Sequence, residues 1–224
     1  MTTESQPLPT YAEQADAKRE AFMAELDDGA RQTMGETFAR LMASDFGANA
    51  INVGDMAPDF TLPNARGGEQ RLGDALAQGP VVLNFYRGGW CPFCNLEFRA
   101  LQQRLPEMQA LGARLIGISP ETPDNSLATA EKHALQFDVL SDVGNRVAGQ
   151  YGLEMVVDEA VRPLYLEWGL DIPAANGDDS YVLPIPATYV LDRDGTVCAA
   201  YVDKNYTSRM EPEAIVAALR DLAG

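Results

Sequence analysis

The sequence predicts an α/β protein with a mixed central sheet flanked by helices and an N-terminal helical extension. Three observations predict it. Residues 81–86 (Val-Val-Leu-Asn-Phe-Tyr) read as a buried strand, followed by apolar residues at helical spacing: Phe93, Leu96, Ala100, Leu101 and Leu105. Strand-like and helix-like segments then alternate to about residue 151. Finally, Asp192-Arg193-Asp194-Gly195 lies between two extended runs and reads as a hairpin turn.

Taken in order, residues 1–50 form the extension and residues 51–224 the main unit. Phe22, Leu26, Met34, Phe38, Leu41 and Met42 make an apolar stripe between residues 10 and 48. Gly29 and Gly35 are expected to interrupt it, giving two helices or one broken helix on the main unit or on a second copy, as in a homodimer. Residues 54–63 mix turn residues with a short extended run, and Gly67-Gly68 reads as a hairpin turn. Strands are expected at 114–118 and 137–140, and helices at 127–135 and 145–151. Residues 153–184 hold Trp168, three prolines and Asn176-Gly177-Asp178-Asp179, and read as an insertion of mixed structure. Strands at 187–191 and 196–202 flank the hairpin turn. Glu211-Pro212 opens a last helix with Ile215, Val216, Leu219 and Leu222 on one side.

Composition narrows the partners. The 224 residues carry 33 acidic and 17 basic side chains, a net charge of -16. That argues against nucleic acid and anionic membrane surfaces. No stretch approaches the ~18 consecutive apolar residues of a membrane span. The first seven residues show no basic or apolar signal, so a cytoplasmic location is expected. Three cysteines are too few for a disulfide scaffold.

The chemistry centres on Cys91-Pro92-Phe93-Cys94, where strand gives way to helix. Pro92 suits the first helical position, which makes Cys91 the N-cap. Unpaired amides and the helix dipole favour a thiolate there, and a second cysteine three residues on can close a disulfide. Cys91 is expected to be the more exposed of the two. Arg87, at the strand end, either stabilises a thiolate or makes a surface salt bridge. Gly88-Gly89 lets the backbone turn tightly before the cysteines. Cys198 reads as core. His133 and Glu97 read as solvated. With one CxxC, one distant cysteine and one histidine, no zinc set is expected, and no cofactor. Asp192-x-Asp194-Gly195 lacks the further acidic ligands of a calcium loop.

Three blocks resemble the peroxiredoxins, the alkyl hydroperoxide reductase and thiol-specific antioxidant family. They are Gly54-x-x-Ala57-Pro58-Asp59-Phe60-x-Leu62, Phe85-Tyr86-Arg87-Gly88-Gly89-Trp90-Cys91-Pro92-Phe93-Cys94, and Pro186-Ala187-Thr188-Tyr189-Val190-Leu191-Asp192-x-Asp194-Gly195. Residues 119–126 and 201–207, with the helical extension, resemble a CxxC-bearing subgroup. The resemblance implies a thioredoxin-like fold and a thiol-dependent peroxidase. In the family's register Cys94 falls on the peroxide-attacking cysteine, Cys91 replaces a Thr, Arg87 replaces a Pro, and Pro186 stands where an Arg is usual. Trp90 before Cys91, and Pro186 if it were a cis-proline facing the CxxC, resemble thioredoxins instead.

Two mechanisms therefore share one pair. In the first, a thiolate attacks a peroxide, becomes a sulfenic acid and condenses with its neighbour, and thioredoxin, glutaredoxin or a small thiol restores the dithiol. In the second, Cys91 attacks a substrate disulfide. A third possibility is a redox-responsive binding module. Helix-end physics favours Cys91 as nucleophile, and the family register favours Cys94.

Overall fold

The computed structural model describes residues 9–223, so the reading of the first seven residues lies outside the described part. Five strands build the central sheet: β3 (Val81–Phe85), β4 (Arg114–Ser119), β5 (Asp138–Ser141), β8 (Ala187–Leu191) and β9 (Val197–Val202), in the order β5-β4-β3-β8-β9. β3, β4 and β5 run parallel, while β8 and β9 are antiparallel to their neighbours. A hairpin of β1 (Thr61–Pro63) and β2 (Glu69–Arg71) precedes the sheet and turns at Gly67-Gly68. A short helix, α3 (Leu72–Leu76), leads into β3.

The pleat of β3 divides the core. Leu83 and Phe85 face one cluster with Ile116, Ile118, Leu140, Tyr151 and Tyr189. Val82 faces the other, with Phe98, Leu101, Leu105, Leu115, Val139 and Val190. This second face is covered by α4 (Pro92–Ala110), which carries the CxxC, by α5 (Pro123–Lys132) and by α9 (Pro212–Ala223).

The extension forms two helices, α1 (Tyr11–Glu25) and α2 (Asp28–Ala43), and both pack on this same chain. The break falls at Leu26-Asp27, not at the glycines. Asp27 accepts a hydrogen bond from the Ala30 amide at 2.8 Å and so starts a new helix, while Gly29 and Gly35 stay helical within it. Helix α5 also starts earlier than expected, because Thr122 caps it and Pro123 takes the first helical position. After α6 (Arg146–Gln150), the insertion folds as β6 (Glu154–Val156), a short 3-10 turn, α7 (Arg162–Glu167), α8 (Ile172–Asn176) and β7 (Val182–Pro184). β6 and β7 close it as an antiparallel pair.

Candidate active site

The cysteines sit where β3 hands over to α4. Tyr86 is the last residue held by the sheet, its amide donating to Ile118 O at 3.0 Å. The chain then turns through Gly88 and Gly89. Gly88 has a φ of +151°, and a Cβ at Gly89 would overlap the Thr129 side chain. The Gly89 amide donates to the Glu121 carboxylate at 2.9 Å, anchoring the turn to the start of α5. Cys91 is the N-cap of α4 with Pro92 behind it, as the sequence predicts, and Asn95 N donates to Cys91 O at 3.1 Å.

Both cysteines are buried, Cys91 at 1% and Cys94 at 0% exposure, so little surface separates them. An N-cap is open to solvent in an isolated helix, but here α1 and the insertion cover it. Cys91 nevertheless lines a cavity of about 710 Å³, together with Trp90, Phe93, Tyr165, Trp168 and Arg87. Cys94 does not line that cavity and lies behind Cys91 in the helix.

Two buried guanidiniums bracket the pair. Arg87 is 3% exposed and makes no surface salt bridge. Its guanidinium stacks on the Trp90 and Tyr206 rings at 5.0 and 4.4 Å and donates to Tyr165 Oη at 3.4 Å. Arg209, which the sequence did not single out, reaches Cys94 Sγ with Nη2 at 3.4 Å and Glu97 Oε2 with Nε at 2.6 Å. Its Nη1 donates to Tyr206 O and Ser208 O. Glu97 is correspondingly buried rather than solvated, and its Oε1 accepts from Asn84 at 2.7 Å. Burial raises the Glu97 carboxyl above its ordinary range, against the pull of Arg209. Glu121 is also raised by burial, against its bond from the Gly89 amide.

These charges separate the two thiols. Burial alone would push Cys91 up, but the hydrogen bond from the Cys94 thiol and the charges of Arg87 and Arg209 outweigh it and push it down to about 5. Cys94 goes up, through burial and because it holds the shared proton beside the Cys91 thiolate. The pair is thus a thiolate with an adjacent thiol.

The remaining expected residues divide. Trp90 joins the site under Arg87. Pro186 is buried and precedes β8, whose Ala187 pairs with Phe85. Its peptide bond is not cis, nor is any among the described residues, so it is not the cis-proline the thioredoxin comparison called for. Cys198 is half-buried rather than core, and its register beside Val197 puts it at the end of the sheet away from the CxxC. His133 is half-buried beside the Phe98 ring at 6.2 Å, not solvated.

A sequence signal for the missed pair did exist. The buried face of α4 runs Phe93, Cys94, Glu97, Phe98, Leu101, Leu105, so Glu97 stands inside an apolar stripe. A carboxylate in that position needs a buried partner.

Fold and site together define a thioredoxin-fold dithiol redox protein. Comparison with known proteins sharpens this. The AhpC/TSA family model matches residues 53–200. Peroxiredoxin Bcp of Escherichia coli (strain K12) is 33% identical over 105 residues, which is 47% of this chain and 67% of that protein. Chloroplastic peroxiredoxin Q of Gentiana triflora is 32% identical over 151 residues, 67% of this chain and 59% of that protein. The crystal structure of peroxidoxin BcpB from Mycobacterium tuberculosis superposes with a TM-score of 0.61 at 25% identity, covering 77% of this chain and 98% of that one. The chain belongs to the AhpC/TSA family, and within it to the peroxiredoxin-like thiol peroxidases. Helices α1 and α2, and Arg209, lie outside the residues that the family model matches.

Proposed function

We propose that the protein reduces hydroperoxides through a Cys91/Cys94 dithiol–disulfide cycle, with Cys91 as the attacking thiolate and Cys94 as the resolving thiol. The observation that carries the assignment is the position of Cys91 on the cavity wall that Arg87 also lines, with Cys94, the sulfur that Arg209 reaches, behind it. The Cys91 thiolate attacks the outer oxygen of the peroxide. The O–O bond breaks, the leaving oxygen takes a proton, and Cys91 becomes a sulfenic acid. The Cys94 sulfur then attacks the Cys91 sulfur and water leaves. Two electrons pass from the dithiol to the peroxide, and an external dithiol or two small thiols return them. Thioredoxin, glutaredoxin or a small thiol fits that last role, and a reducing compartment such as the cytoplasm fits the whole cycle.

Thiol–disulfide exchange is a second reading, favoured by Trp90 next to a buried N-cap cysteine of lowered pKa. Stopped-flow oxidation of the reduced protein by peroxide, set beside its reaction with a disulfide substrate, separates the two. Fast reaction with peroxide is expected. Fast exchange with the disulfide and a negligible peroxide rate would replace the peroxidase reading with the second one.

A further inference from the structure

We propose that a second cavity, which Arg87 lines and Cys91 does not, binds a small monocarboxylate with an apolar tail, and that this carboxylate competes with the Cys91 thiolate for the Arg87 guanidinium. The inference needs the thiolate beside Arg87 but is independent of the oxidant that thiolate meets, so it goes beyond the peroxidase reading.

Arg87 is a buried cation without a fixed counter-ion. It is 3% exposed, its one hydrogen bond goes to Tyr165 Oη at 3.4 Å, and its Nε has no partner. No carboxylate pairs with it among the described residues, whereas Arg209, the other guanidinium of the site, has Glu97 at 2.6 Å. A charge held out of water is costly unless it is paired. In the reduced protein the Cys91 thiolate acts on Arg87 by charge. Disulfide formation removes that anion and leaves Arg87 with the Trp90 and Tyr206 rings and a phenol.

The second cavity offers what such a carboxylate needs. Its volume is about 510 Å³, within the roughly 300–1,000 Å³ of sites for small ligands. Met34, Phe38 and Leu41 of α2 form one apolar wall, and Val157 and Val161 of the insertion form another. Arg87, Tyr165 and Tyr206 line both this cavity and the one over Cys91, so the guanidinium stands at the junction of the two. The other charged groups of the lining are matched or in water. Arg40 pairs with Asp158 at 2.7 Å, Arg162 donates to Val157 O, and Glu159 is exposed. Arg87 is thus the cation left for a carboxylate, with apolar walls for its tail.

One guanidinium then serves two anions. Arg87 exerts the larger of the two cationic effects that favour the Cys91 thiolate, ahead of Arg209. Cys94, Glu97, Glu121 and Tyr11 also act on or feel Cys91, and Tyr165 and Tyr206 face Arg87. A carboxylate on Arg87 offsets its charge and so raises the Cys91 pKa. Reciprocity requires that loss of the thiolate tighten carboxylate binding by the same factor.

The probe is octanoate, with 1-octanol as the uncharged control. Calorimetric titration of protein oxidised with diamide should give saturable one-to-one binding of octanoate. 1-Octanol should bind at least ~10-fold more weakly, the scale of a hydrogen bond to a charged group. Reduced protein at neutral pH should bind octanoate about 10-fold more weakly than the disulfide form, within the roughly 5–150-fold span of coupled sites. Saturating octanoate should in turn raise the midpoint of Cys91 alkylation by about 1 pH unit, which is the same tenfold factor. Thr37→Trp, at a half-buried α2 position on the cavity wall, should abolish octanoate binding in both redox states. Arg87→Gln should abolish the preference for octanoate over 1-octanol. Absence of saturable binding, equal binding of octanoate and 1-octanol, or undiminished binding in a folded Thr37→Trp protein would overturn the site. Equal affinity in the two redox states with an unmoved alkylation profile would overturn the competition for Arg87. Neither readout uses a peroxide, so these results stand apart from the success or failure of the peroxidase reading.

Discussion

Arg209→Met tests whether the buried ion pair holds the thiolate or only the fold. Arg209 and Glu97 have side-chain exposures of 1% and 2% and meet at 2.6 Å, so solvent screens them little. Removing one member of such a pair leaves the other charge unpaired, a loss of about 3–5 kcal/mol. For a chain of this length 1 kcal/mol moves Tm by about 2–4 °C, so the single variant should melt roughly 6–20 °C lower. Adding Glu97→Gln removes the stranded carboxylate and keeps an acceptor for Asn84, so the double variant should recover most of that loss. The thiolate should not recover. Arg209 touches Cys94 and acts on the Cys91 thiolate by charge, after Arg87 in size; an opposite charge nearby shifts a pKa by about 1–3 units. A rise of about 1 unit in the Cys91 pKa, the low end of that range, is expected in both variants. The assay is the rate of Cys91 alkylation by iodoacetamide against pH, read by peptide mass mapping beside a thermal melt. A double variant that is stable yet alkylates with the wild-type pH profile would refute the reasoning, because Arg209 would then serve packing alone.

Other expectations are more local. The Cys91 thiol is lowered, so its thiolate persists above the folded-state value and is lost as pH falls through about 5. Wild-type alkylation of Cys91 should therefore be flat across roughly pH 6–8, whereas an ordinary thiol would still be rising there. Gly89→Ala places a Cβ against the Thr129 side chain and disturbs the amide bonded to Glu121; a loss of about 1–3 kcal/mol in a denaturant melt is expected. Cys198→Ser, at the far end of the sheet, should leave single-turnover peroxide oxidation unchanged in stopped-flow fluorescence.

What the sequence revealed and what it hid have physical causes. The path from β3 through Gly88-Gly89 to Pro92 and α4 is written locally, in a run of apolar residues, two glycines and a proline at the first helical position. It was legible for that reason. The division of the extension into two helices was legible, but the glycines drew attention from Asp27, whose side chain makes the actual break. The burial of Cys91 was not legible, because it depends on α1 and the insertion, remote in sequence, closing over the CxxC turn. The site's second cation was hidden for the same reason. Arg209 lies 112 residues from Glu97, in a segment with no regular structure before α9. Pro186 announced that the family's usual Arg was missing but did not say where a replacement would come from. Only the charged residue within the buried stripe of α4 pointed to a partner at all.

The order in which the two sulfurs react is tested most directly by adduct trapping in the two single-substitution variants, each of which keeps Cys198. Reduced Cys94→Ser and Cys91→Ser proteins are each given one equivalent of hydroperoxide in the presence of dimedone, and the adducts are mapped by mass spectrometry. Rapid sulfenic acid formation, trapped on Cys91, is expected in Cys94→Ser, and little on Cys94 in Cys91→Ser. A rapid adduct on Cys94 with none on Cys91 would contradict it and move the attack to Cys94.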